Sequence, residues 1–307
     1  MNRLPPFSTR AAIRIALLCI AALFVGACDR ETPSGAGSTG ASSADASPPK
    51  NVPDESLPAD QYVAQGLPSY DRPWIGRDLT VVAAKLKALA GDNPQQLPRR
   101  GSDKSGAVFA RLVAGENLAF FRNRSLPLSS RFPDGLAYFQ AQNEILKTYA
   151  GALDRGKVSG DDVIDLLAAE LSTVQAVLEL VDEFMPTIPK DDGKYEVRMH
   201  GLQTMRQGLA TMVSGVLTAL TESQVYGVET RARLLHRCLD TFPHIIPKLT
   251  KPSQAEVKRR LAELPSDPTV SGLRPQLVSL RDAVDRAVRD GVSDPAATPP
   301  SPGRSPG

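Results

Sequence analysis

The chain has 307 residues, 41% of them hydrophobic and 23% charged, with a formal charge of +2. So even a balance gives no overall electrostatic case for nucleic-acid binding, and a partner of that kind is not expected. The apolar content is enough for a sizeable core, while 26 prolines and 23 glycines punctuate it into segments.

The first segment is a short apolar run. Arg3, Arg10 and Arg14 precede it with no acid among them, Ile15 to Val25 is unbroken, and Val25-Gly26-Ala27-Cys28 closes it. A basic start, an apolar middle and small residues at the end follow the order of a secretory signal. About 11 apolar residues are too few to cross a hydrocarbon core that needs ~20. The closing tetrad resembles the lipobox of bacterial lipoproteins. That resemblance implies cleavage before Cys28 and a lipid, palmitate included, on its cysteine. It further implies a place in the cell envelope, attached to a membrane and facing the periplasm. Several acyl chains make such attachment stable where one is marginal. Asp29 is similar to the inner-membrane retention signal of enterobacterial lipoproteins, but hosts sort differently, so the sequence leaves the membrane open.

Cleavage at that point removes residues 1–27 with three positive charges and no negative one, taking the formal charge from +2 to −1. It also removes Cys19, and with Cys28 committed to lipid, Cys238 has no partner for an internal disulfide. Residues 28–60 are rich in Ser, Gly, Ala, Pro and Asp, with only Val52 and Leu57 as large apolar side chains. Such a segment buries too little to offset its ordering entropy and is expected to be a flexible tether, with an r.m.s. span of ~30 Å. Residues 291–307 are Pro- and Ser-rich and are expected to be a disordered tail.

Between them, residues 61–290 are expected to form one all-α domain, a multi-helix bundle of about eight helices. The apolar spacing predicts helices near 78–90, 103–122, 134–153, 161–185, 194–222, 228–241, 253–264 and 273–290. Prolines 94, 98, 127, 133, 186, 189, 243, 247, 252, 265 and 268 fall between them, and Pro275 falls in a first turn, where a missing N–H is harmless. Ser253 with Glu256 has the spacing of a capping box, and Gly91 suits the position just past a helix end.

The fourth and fifth of these helices are expected to form the centre. The fourth carries Val163, Leu167, Leu171, Val174, Leu178, Val181 and Met185 at spacings of three and four, widened by Ile164, Val177, Leu180 and Phe184. The fifth repeats by sevens, with Leu202, Leu209 and Val216 alternating with Met205, Met212 and Ala219. Gly201, Gly208 and Gly215 run beside that seam, also seven apart. Since each mid-helix Gly costs ~1 kcal/mol against Ala, three in register predict a closely packed neighbouring helix, or alternatively a groove for a partner helix or an apolar ligand.

Five polar residues are placed on apolar faces by the same arithmetic: Glu116, Gln142, Glu170, Arg198 and Arg206. They are expected to form a buried polar cluster, either Glu–Arg pairs satisfying one another or a functional polar cavity. No Glu-x-x-His pair supports a di-iron bundle. His236 and Cys238, two apart on a helix, cannot share a metal, and Cys238 is expected to be a buried, inert thiol. Asp191-Asp192-Gly193 lacks the ligands of a calcium loop and reads better as the start of the fifth helix. Without a nucleophile motif, phosphate loop or metal motif, the expectation is a non-catalytic, membrane-anchored envelope lipoprotein with no cofactor. Its helical domain is expected to bind an envelope protein partner or, alternatively, a small apolar ligand or lipid.

Overall fold

The computed structural model describes residues 52–189, 191, 193 and 195–290. The expected signal, Cys28, most of the expected tether and the expected tail lie outside these residues. What is described is all-helical, with eight α-helices of seven residues or more. In chain order they and two shorter turns are α1 (Ala59–Ala64), α2 (Gly76–Asp92), α3 (Gly106–Leu112), α4 (Ala119–Arg122), α5 (Leu128–Asp154), α6 (Gly160–Phe184), α7 (Tyr195–Thr221), α8 (Val228–Ile245), α9 (Lys251–Glu263) and α10 (Arg274–Asp290). No helix among the described residues is long and apolar enough to cross a membrane.

One continuous apolar core runs from Tyr62 on α1 to Val284 on α10. Helix α5 packs on α2 and on α6, α6 packs also on α8, α8 on α10, and α9 on α7 and α10. The centre is therefore α5, α6 and α8. Helix α6 is as central as its pattern requires, burying Val163, Ile164, Leu171, Val174, Val177, Leu178, Leu180 and Val181. At ~1.5–3 kcal/mol for each large apolar side chain, that stripe is a leading source of the domain's stability. Its start is fixed by a capping box in which Ser159 accepts from the Asp162 N–H while Asp162 accepts from Ser159, which satisfies two otherwise orphan donors.

Helix α7 departs from its expected central place. Its buried positions begin only at Met205 and continue through Leu209, Met212, Val213, Val216, Leu217 and Leu220. The repeat by sevens spans the whole helix, but its neighbours meet the second half: Arg260 of α9 bonds the Ser214 carbonyl and hydroxyl and the Thr218 hydroxyl. Arg231 of α8, itself buried, donates to the Leu220 carbonyl at the helix end and to the Thr269 carbonyl.

Five boundaries differ from the pattern-based ones for local reasons. The segment expected at 103–122 is broken, because the backbone of Val113 and Ala114 leaves the helical region and a 3₁₀ turn follows at Gly115–Leu118. Helix α5 begins at Leu128 and contains Pro133; the carbonyl deprived of a donor is that of exposed Ser129, which water can reach. Pro243 lies in the last turns of α8. Helix α9 starts at Lys251, with Pro252 in its first turn and Thr250, not Ser253, as the cap that accepts from the Ser253 N–H. Gly91 is still within α2, whose last residue is Asp92.

Order also begins earlier than Gln61. Ser56 is buried, its hydroxyl accepts from Ser105 at 2.8 Å, and Asp54 accepts from the hydroxyls of Ser56 and Ser102. Burial opposes the Asp54 charge, but these hydrogen bonds outweigh it and hold the carboxyl below its usual range. Tyr62 then pins the segment from inside, accepting from the Leu57 N–H and donating to the Gln96 carbonyl.

Candidate functional site

The α5–α6 pair is a helical hairpin closed by a turn at residues 155–159. In such an antiparallel pair, positions equidistant from the turn stand level, which sets Glu170 opposite the stretch around Gln142 to Glu144. Gly135 marks the α5 stripe that faces α6: a Cβ there would run into Leu180. Gln142, seven residues on, returns to that stripe, and Asn143 lies beside it toward Lys147.

All three polar side chains are shut in. Glu170 is 1% exposed, Gln142 is 0% and Asn143 is 3%. Neither carboxyl oxygen of Glu170 has a hydrogen-bond partner, nor does either amide atom of Gln142, nor Asn143 Oδ1. Unmet buried groups of this kind cost ~1–3 kcal/mol each, and a buried charge costs more. Burial accordingly pushes the Glu170 carboxyl up to about 8, with the positive charge of Lys147 only partly offsetting it. At neutral pH this residue is a neutral acid. Tyr138, one turn before Gln142 on the same helix, is also buried and feels the charge of Glu170, and its phenol is raised mainly by desolvation.

Of the five residues expected inward, the structure buries two, Gln142 and Glu170, with no hydrogen bond between them, and does not bury the rest. Glu116 is exposed, its side chain 74% accessible and paired with Arg111 at 3.3 Å. The helix break at 113–115 resets the face, and Asn117 turns inward instead. Asn117 accepts from the Trp74 N–H and donates to the Arg111 carbonyl at the end of α3, which is why the helix stops there. Arg198 and Arg206 are half-buried on the less covered helix α7, so the expected Glu–Arg pairing within the core does not form around Glu170.

The glycine column divides in the same way. Gly208 is buried and Gly215 half-buried, but a Cβ on Gly201 would meet nothing within 4 Å. The tight glycine contacts lie elsewhere. A Cβ on Gly76 would strike the Asp134 backbone carbonyl, and one on Gly160 would come within 2.9 Å of the Tyr226 ring. At Gly76 the closeness has a purpose: Asp134 of α5 accepts from the Gly76 N–H at 2.9 Å and so caps α2 from a neighbouring helix. Burial nevertheless leaves the Asp134 carboxyl raised.

Other buried charges are structural. Arg131 donates to the Phe121 and Leu126 carbonyls and to Glu183, tying the 123–127 loop to α6. Arg99 reaches the Lys157 carbonyl and approaches Asp162 at 3.8 Å, fastening the hairpin turn. Cys238 is fully buried, and desolvation raises its thiol far above the usual range. His200, His236 and His244 are exposed, and no group of His, Cys, Asp and Glu that could hold a metal ion occurs among the described residues. Asn143, Asn117 and Asp134 carry no signal in the pattern: the fold buries Asn143 and Asn117 and half-buries Asp134. No protein family, curated protein or solved structure matches this chain.

Proposed function

We propose that the chain is a cell-envelope lipoprotein, held to a membrane by lipid on Cys28, whose helical domain binds a protein partner without catalysis. The observation that carries the attachment is the Val25-Gly26-Ala27-Cys28 tetrad at the end of the apolar run after Arg3, Arg10 and Arg14. The first half of α7 supports the binding role. On the face that continues the buried seam, Tyr195, Met199 and Leu202 are only half-buried, and Val197, about half a turn away, is 61% exposed. An apolar face left open on a helix whose second half is packed is a surface that a partner can cover.

The test has two arms. Metabolic labelling with a palmitate analogue should mark the wild-type chain and fail to mark Cys28→Ala; label persisting in that variant removes the lipobox reading. A photo-cross-linking residue at Met199 in intact envelopes should trap one defined protein. If position 199 traps nothing while labelling at Cys28 holds, the anchor stands and the partner reading fails.

A further inference from the structure

We propose that the segment entering the domain, residues 54–58, is an acid-released clip: serine hydroxyls from the loop before α3 close on the ionised carboxylate of Asp54, and a proton on that carboxylate opens them. The clip stands on the described residues alone; only its consequence for reach rests on the proposed attachment at Cys28.

The direction of the hydrogen bonds supplies the reason. Each serine hydroxyl has a single proton to give. Ser105 gives its own to Ser56 Oγ at 2.8 Å, and Ser56 gives its own to Asp54 Oδ1. Ser102 gives its own to Asp54 Oδ2 at 2.6 Å. The oxygens behind these protons are already engaged. Ser105 Oγ accepts from the Arg99 N–H at 2.9 Å, and Ser102 Oγ accepts from the N–H groups of Lys104 and Ser105, each at 3.1 Å. Both branches therefore run toward Asp54, which closes them only as an acceptor without a proton of its own. A protonated carboxyl finds no free lone pair on Ser102, and giving its hydrogen to Ser56 turns the Ser56 proton away from its acceptor. Ser56 is buried, so water does not replace the lost bond there.

The charged groups around Asp54 favour the closed form. Lys104, in the loop before α3, donates to the Asp54 backbone carbonyl at 3.4 Å, and its charge supports the anion. Glu55 beside it, Asp60 of α1 and Asp103 of the loop are exposed to water. Tyr62 of α1 is held neutral by burial. Arg99 is turned to the Lys157 carbonyl and Asp162, and Arg100 pairs with Asp165 at 2.7 Å. Burial opposes the Asp54 charge, but the Ser102 and Ser56 bonds, with Lys104, outweigh it and lower the carboxyl below 3.8. A carboxyl lowered in this way contributes its hold above the unfolded value of 3.8 and loses it as pH falls through the lowered one.

Opening moves the point at which the chain leaves the domain from Asp54 to Leu57, whose N–H the Tyr62 hydroxyl holds at 3.1 Å. On the proposed attachment, freeing residues 54–56 lengthens the reach from Cys28 by about 10 Å.

Hydrogen exchange of the full chain tests the clip. The Ser56 N–H bonds Asp54 Oδ1 at 3.1 Å, so the amides at 56 and 57 report its closure. At pH 7 they should exchange at least about 10-fold faster in Asp54→Asn, whose side chain puts donors where an acceptor is needed, with the amides of α6 unchanged. After correction for intrinsic rates, wild-type protection at 56 and 57 should fall as pH drops below 3.8, whereas that of Asp54→Asn should stay level. Wild-type protection in Asp54→Asn at pH 7 overturns the proposal, as do parallel pH profiles for the two chains. Should α6 lose protection over the same acid range, the comparison at pH 7 decides with a second variant, Ser56→Ala. Because one relay joins the two side chains, the double variant should be no looser than either single one; additive losses overturn the clip.

Discussion

A single methyl group separates two kinds of glycine in this domain. Gly76→Ala places a Cβ against the Asp134 backbone, which cannot retreat without moving α5, and also disturbs the cap that Asp134 provides. We expect a loss of ~1–3 kcal/mol from overpacking, read as a lower denaturant midpoint. Gly201→Ala meets open space, so its helix propensity should show, as a gain of up to ~1 kcal/mol. Equal effects at the two positions would contradict the packing described. The seven-residue spacing of Gly201, Gly208 and Gly215 was legible in the sequence, yet spacing alone does not say which neighbour lies opposite. Gly76 and Gly160 carried no comparable signal, because a close approach between distant segments leaves no period in either one. Glu170 and Gln142 were legible as inward residues because both sit on unbroken helical faces. Glu116 was misplaced because the face it was counted on ends at Leu112.

The ends of the elements depend on side chains that reach across the chain rather than along it. Asn117 closes α3 by bonding the Arg111 carbonyl and also receives the Trp74 N–H. Asn117→Ala should therefore lose about 1–3 kcal/mol, since the buried Trp74 N–H is left unmet while the Arg111 carbonyl keeps the Ala114 N–H; denaturant unfolding measures it, and a change under ~0.5 kcal/mol, typical of a surface site, would contradict the role. Such a cap escapes a local pattern search, which named Ser253 with Glu256, where Thr250 is the cap, and gave no sign of Asp134 above Gly76. Helix α7 tests the other extreme. Its amphipathic repeat runs its full length, but burial begins at Met205, so amides of 195–204 should exchange with solvent much faster than those of 209–217 in the isolated chain. Uniform protection along α7 would mean that its first half is covered in a way the structure does not contain. Covering that half with a partner should slow its exchange selectively.

At the scale of the molecule, the helical domain and the Cys28 tetrad describe separate properties. The all-α class was legible because helical spacing and proline placement agree along most of the chain, and the three prolines that entered helices, Pro133, Pro243 and Pro252, sit near helix ends. Which helices form the centre was less legible: apolarity singled out α6 correctly, but α7 is equally periodic and peripheral. The role of α5 and α8 comes from contacts made across the chain. The pull of distant charges also depends on the fold: Asp78 and Asp161 are held below the usual carboxylate range, Asp78 by its hydrogen bond with Arg72 and Asp161 by those of Thr230 and Arg233 against its burial. Their stabilising share is present above the unfolded values near 4 and fades as pH falls through the lowered ones, opposite in direction to Glu170.

The proposed attachment is most directly tested at the amino terminus of the chain isolated from envelopes. Mass spectrometry of that terminus should find Cys28 as the first residue, bearing acyl chains, with residues 1–27 removed. A chain that retains Met1 to Ala27, or one cleaved elsewhere with an unmodified Cys28, would contradict it.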